Sequence, residues 1–195
     1  MKIAIDLNDV IRDYSRNFVK YFMRGVQPGF DEAEVEFTTN DMSSLLPFTN
    51  EEHYRRFVYE DYPFELYGKC PAVESNLPRE LNQWIEFALY DEDIEVMFVS
   101  PMEADLTIQS TFSFLAKIGS RVREVYFPID SATVWDRCDV LITANPRFMK
   151  NAPDGKKLVK IEKAYNTDYE SYASYASLLD VIADTEFIDK IQGKE

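Results

Sequence analysis

The sequence predicts an α/β protein, a parallel sheet with helices on both faces, and two observations predict it. Short apolar runs alternate with stretches of helical periodicity along most of the chain, as in βαβ units. The first run, Ile3-Ala4-Ile5, ends on Asp6. A strand of an open α/β sheet that delivers an acid at its carboxyl end points it into the crevice where such sheets bind ligands. The expected architecture is Rossmann-like, with a small α-helical cap inserted after the first strand.

Strands are expected at Lys2–Leu7, Ile94–Val99, Val122–Phe127, Asp139–Ile142 and Leu158–Ile161. Asn76-Leu77-Pro78 opens a helix whose Leu81, Trp84, Ile85, Ala88 and Leu89 recur at helical spacing. A second helix runs from about Ala104 to Ile118, with Ile108, Phe112 and Leu115, and Gly119 ends it as a C-terminal cap. A third is expected from Tyr169 to Ala183, carrying Tyr172, Tyr175, Leu178, Leu179 and Ile182.

The interval 14–70 breaks the alternation and reads as the cap; 1–13 and 71–195 read as the α/β core. The cap opens with a helix bearing Phe18, Tyr21 and Phe22, and then passes through a polar stretch with Pro28 and Pro47. Thr49-Asn50-Glu51-Glu52 has the form of a capping box before an aromatic helix with Tyr54, Phe57 and Val58. An insertion at this point of the chain sits above the carboxyl edge of the sheet, where a lid would shape access to a ligand.

Of the 195 residues, 46% are hydrophobic and 14% aromatic, enough for a proper core. The net charge is −14, from 35 acids and 21 bases, which disfavours binding to nucleic acid or to an anionic membrane surface. With no span-length apolar run and no signal-peptide pattern, a cytoplasmic location is expected. Cys70 and Cys138 have no metal-ligand spacing and read as buried free thiols, and the lone His53 excludes a multi-histidine site.

Asp6 and Asn8 lie two apart on an extended chain and so point the same way, where a nucleophile and its proton-transfer partner would sit. Asp6-Leu7-Asn8-Asp9-Val10 resembles the Asp-x-Asp-Gly-Val opening of the haloacid dehalogenase superfamily, in its 5'(3')-deoxyribonucleotidase branch, which carries a small helical cap. The segment from Tyr59 to Phe64, with Pro71, resembles the family's return from cap to core. Val96-Met97-Phe98-Val99-Ser100-Pro101 resembles its second motif and Asp139-Val140-Leu141-Ile142 the strand before its fourth. Lys163-Ala164-Tyr165-Asn166 stands where the family has a Pro-Tyr-Asn segment.

The resemblance implies roles for single residues. Asp6 matches the nucleophile that forms an aspartyl-phosphate, and Ser100 the hydroxyl that contacts the phosphoryl group. Asn8 occupies the acid–base position and cannot titrate. The family's lysine position falls near Thr133, and no Lys lies between Lys117 and Lys150. Where one or two acids should join the first Asp on Mg²⁺, the strand ends in Thr143-Ala144-Asn145, leaving Asp6 as the one strong ligand of a weakened metal site.

Three motifs thus lack the residue their chemistry needs, and the expectation is a catalytically degenerate protein, without a cofactor, acting as a binding, regulatory or structural module. Its partner would be another protein or a second copy, and an assembly role, even in a virus, is compatible. The 12 Tyr and 14 Phe, many of them in the cap (Phe30, Phe37 and Tyr67 among them), would serve either as interface anchors or as cap core. The alternative is an active Mg²⁺-dependent 5'-nucleotidase that uses Asp6 and recruits Asp9, Asp13, Asp130 or Asp139. A nucleotide or phosphate held without turnover is a third reading, with Asn8, Ser100, Thr143 and Asn145 as neutral partners and Arg147, Lys150 or Lys163 as the cation.

Overall fold

The structure, a computed structural model, describes residues 1–29, 35–86, 93–101, 103–150 and 152–194. Among these, six strands form one parallel sheet: β1 (Lys2–Asp6), β2 (Glu95–Val99), β3 (Glu124–Tyr126), β4 (Val140–Thr143), β5 (Lys157–Ile161) and β6 (Ala173–Tyr175). Their order is β3-β2-β1-β4-β5-β6, so the chain builds outward on one side of β1 and then crosses back to build on the other. That crossover is a topological switch point, and it opens a crevice at the carboxyl ends of β1 and β4.

β1 is central and covered on both faces, as its unbroken apolar run requires. Ile3 and Ile5 point to one face, with Phe98, Phe114, Leu77 and Trp84. Ala4 points to the other, with Met97, Trp135, Leu141 and the Phe148 of α6 (Pro146–Met149). The first layer is covered by α4 (Leu77–Trp84), α5 (Leu106–Lys117), α7 (Leu178–Ala183) and α8 (Phe187–Gln192). Pro78 lies in the first turn of α4, where no backbone donor is needed. Gly119 follows α5 at φ +63°, the left-handed cap conformation that glycine adopts freely. Ala88 and Leu89 lie outside the described residues.

The stretch 14–70 holds α1 (Tyr14–Gly25), the short α2 (Met42–Leu45) and α3 (Glu51–Arg56), with π-helical turns at Phe57–Asp61 and Phe64–Gly68. Tyr14, Phe18 and Phe22 recur every fourth residue on α1 and bury one face of it. They meet Phe57, Leu66 and Tyr67 in an apolar cluster of their own. Most of the cap aromatics are therefore core. Phe30 lies outside the described residues. The chain leaves the sheet region at Asp13 and returns at Pro71, whose carbonyl accepts from the Asp13 N–H at 2.9 Å.

Three expectations need correction. The helix expected from Tyr169 to Ala183 is instead β6 followed by α7. Tyr172 and Tyr175 mimic helical spacing, but Tyr175 pairs with Ile161 on the otherwise open edge of β5. Ser177 then starts α7, its hydroxyl accepting from the Asp180 N–H at 3.2 Å. The cap of α3 is Asn50, not Thr49: the Asn50 side chain accepts from the His53 N–H at 2.8 Å, and Thr49 bonds the His53 ring. Finally, β4 runs one residue later than expected, so Thr143 is its last residue, and β3 is only three residues long.

Candidate functional site

The carboxyl ends of β1 and β4 bring Asp6 and Thr143 together across the switch point. Thr143 Oγ1 donates to Asp6 Oδ2 at 2.7 Å, and the Asn8 N–H reaches Asp6 Oδ1 at 3.3 Å. Asp6, Thr143 and Ala144 have no exposed surface. Burial pushes the Asp6 carboxyl up from 3.8 to about 7, against the pull of the Thr143 and Asn8 hydrogen bonds.

Beside this pair lies a feature that residue patterns did not reveal. Arg12 is fully buried, and every nitrogen of its guanidinium is engaged. Nε donates to Asn8 Oδ1 at 2.6 Å, Nη1 to Thr111 Oγ1 at 2.6 Å and Nη2 to Ser100 Oγ at 2.8 Å. Nη2 also pairs with the buried Glu103 carboxylate. Both hydroxyls then pass the polarity on: Ser100 donates to Glu103 Oε1, and Thr111 to Oε2 at 2.5 Å. The result is a closed ring of donors and acceptors.

Such a pair survives burial only when its remaining hydrogen-bonding capacity is filled, and here the two hydroxyls fill it. Burial opposes the charge on Arg12, and Glu103, Cys70 and Tyr67 together more than offset it. Burial likewise raises the Glu103 carboxyl, against Arg12, Ser100 and Thr111. The Arg12 guanidinium also lies 4.7 Å from the Tyr67 ring centre, tying this network to the floor of the cap. In the sequence its one trace is an arginine inside the apolar Val10-Ile11 stretch.

The other residues singled out in the sequence fall in different places. Asp9 takes φ +60°, the conformation for which a glycine is suited, and its charge adds to the rise at Asp6. It accepts from the Ser15 N–H at 2.8 Å and Oγ at 2.5 Å, and from the Tyr165 hydroxyl at 3.2 Å. Thr133 lies on a 3-10 turn, bonded to the Tyr126 hydroxyl and the Asp130 carbonyl, and Asp130 caps that turn. Arg137, which ends that turn, packs over the Tyr126 ring. Asp139 is at the opposite end of the sheet from Asp6, where it accepts from the Lys2 N–H and pairs with Lys156. Asp13 is 4.0 Å from Arg16. Asn166 accepts from the Lys163 N–H and donates to the carbonyls of Ala144 and Ile161, each at 2.9 Å, locking the ends of β4 and β5.

Above the switch point a cleft of about 530 Å³ separates sheet and cap. Asn8, Asp9, Asn145, Arg147 and Tyr165 form its floor, and Tyr54 and Tyr59 are among the cap residues facing them; Asp6 does not line it. Cap and core also touch directly: Asn40 Nδ2 donates to Asn145 Oδ1 at 2.8 Å, and Arg147 stands 4.0 Å from Asp41. Of Arg147, Lys150 and Lys163, Arg147 alone lines the cleft. Among the described residues no three His, Cys, Asp or Glu side chains form a metal-holding group, and no helix is long and apolar enough to cross a membrane.

Comparison with solved structures gives the fold a name. A haloacid dehalogenase-like hydrolase from Burkholderia xenovorans LB400 superposes with a TM-score of 0.61, covering 96% of this chain and 97% of its own, at 10% identity. The HAD-hydrolase YfnB of Bacillus subtilis, in a structure bound to magnesium, aligns over 93% of this chain and 96% of its own, with a TM-score of 0.44 and 12% identity. No family model and no curated protein matches the sequence. The chain has the haloacid dehalogenase-like hydrolase fold, a six-stranded parallel α/β sheet.

Proposed function

We propose that this protein is a non-catalytic form of the haloacid dehalogenase-like fold, nearest in plan to the deoxyribonucleotidase branch, that serves as a binding module. The Arg12–Glu103 ring carries the reading. It takes the Ser100 hydroxyl that would meet a phosphoryl group, whose proton goes to Glu103, and it ties up the Asn8 oxygen beside Asp6, so Ser100 has no proton left to donate to a substrate. Phosphoryl transfer relies on charge stabilisation at the reacting oxygens, and the buried cation beside Asn8, Arg12, is already paired with Glu103.

The donor set does not fit Mg²⁺. That ion needs an octahedron of oxygens with carboxylate help. Asp6 has one oxygen on Thr143, and the next carboxylate along the chain, Asp9, has both oxygens taken by Ser15 and Tyr165. Arg12 occupies the Asn8 side-chain oxygen, and β4 ends on Thr143, followed by Ala144, where acids would stand. Without such chemistry, recognition of a small ligand in the cleft or of another protein is the work left to the fold. A surface of net charge −14 turns it away from nucleic acid and anionic membranes.

Phosphate release from deoxynucleoside monophosphates with Mg²⁺ tests the reading, with Asp6→Asn assayed alongside. The expected rate is the same for both proteins and indistinguishable from background. Turnover that disappears in the variant establishes the nucleotidase alternative instead.

A further inference from the structure

The cleft has a chemistry of its own, and it is not that of an anion site. Phe48, Tyr54, Tyr59 and Tyr165 are half-buried on its walls and offer ring faces at little entropic cost. Four asparagines line it, and each is held at one end by an internal hydrogen bond. The side-chain oxygens of Asn8, Asn50 and Asn145 accept from Arg12, His53 and Arg147, and the Asn40 amide donates to Asn145. With one end pinned, the amide orientation is fixed. The Nδ2 groups of Asn8, Asn50 and Asn145 and the Asn40 Oδ1 have no hydrogen-bond partner among the described residues, and none of them is a buried orphan.

Charge points the same way. The floor carries the Asp9 carboxylate, held by a hydroxyl, a phenol and a backbone N–H but by no cation. Arg12 is spent on Glu103, Arg147 faces Asp41, and Arg55 is exposed over the Tyr59 ring. A phosphate on this floor would meet the like charge of Asp9, in a lining where Asp9, Asp41 and Glu51 outnumber Arg55 and Arg147. A hydroxyl, by contrast, donates to Asp9 or Asn40 and accepts from the amide NH₂ groups, while a ring lies against the tyrosines.

We propose that the cleft between Asn8, Asn50, Asn145 and Tyr54 binds an uncharged, polyhydroxylated ring compound, a carbohydrate by chemical class, and rejects its phosphate ester. The proposal rests on the reading that the Asp6 centre is closed. The volume admits one or two sugar rings.

The test titrates the full-length chain with D-glucose, maltose and uridine, and with glucose 6-phosphate and uridine 5'-monophosphate, by saturation-transfer NMR and calorimetry. Uridine separates a free sugar from a nucleoside as the source of the ring. At least one uncharged compound should bind, at least tenfold more tightly than its phosphate ester. Asn50→Ser and Asn145→Ser each retain an oxygen that caps the following helix and lose only the amide donor, so each should weaken binding about tenfold with the thermal midpoint kept. Tighter binding of an ester without turnover overturns this proposal and leaves the non-catalytic reading standing. Ester hydrolysis overturns that reading as well. Absence of binding by all five compounds, or binding unaffected by both variants, also overturns the proposal.

Discussion

Asp6 is a carboxyl group in an expensive place. It lies wholly buried at the end of β1, with Thr143 and the Asn8 backbone as its hydrogen-bond donors, and burial lifts it to about 7. The folded chain therefore keeps its proton where the unfolded chain, near 3.8, has already ionised. For a raised acid, the stabilising contribution is fully present below the unfolded value and is lost as pH rises through the folded one. Wild-type stability should thus fall between pH 3.8 and about 7. Asp6→Asn abolishes that slope and should be about 2 kcal/mol more stable than wild type above pH 7, the lost backbone bond offsetting part of the gain. Chemical denaturation of both proteins across this range measures it. The wild-type slope should be the same with and without Mg²⁺, because a bound cation would hold the carboxylate ionised and remove it. An unchanged slope in the variant, or a slope removed by Mg²⁺, contradicts the assignment.

The sheet positions these residues through the ends of its strands, and Asn166 shows how tightly. Its amide spans the Ala144 carbonyl just past β4 and the last carbonyl of β5 while its oxygen takes the Lys163 N–H, and it is buried. Asn166→Ala leaves two carbonyls and an N–H unpaired and should cost about 3 kcal/mol, read as a lower denaturation midpoint. Asn166→Asp should cost more, since it places an oxygen against two carbonyl oxygens. Smaller loss in the Asp variant than in the Ala variant would sink this account of the strand ends. Elements of this kind were legible where one period dominates. Ile3-Ala4-Ile5 announces a buried strand, and Phe18, Tyr21 and Phe22 announce a one-faced helix, whose buried stripe begins a turn earlier at Tyr14. Tyr172 and Tyr175 misled because a three-residue repeat fits a helix as well as a short strand, and only the open edge of β5 decides between them.

For the molecule as a whole, the parallel α/β sheet was legible in the alternation of strands and helices, and the place of Asp6 at a strand's carboxyl end in the apolar run before it; the strand order and the crossover between β1 and β4 were not. Nor was the Arg12–Glu103 ring. Its members come from positions 12, 100, 103 and 111, and only folding brings a loop, a strand end and the first turns of α5 together. The pinned asparagines of the cleft are equally long-range, as Asn40 meets Asn145 across the gap between cap and core. The central claim is that this ring and the Asp6–Thr143 bond leave no nucleophile able to take a phosphoryl group. Intact mass spectrometry after incubation with acetyl phosphate and Mg²⁺ tests it most directly. Wild type and Asp6→Asn should both keep their unmodified masses; a single phosphoryl adduct on the wild type that is absent from the variant would contradict the account.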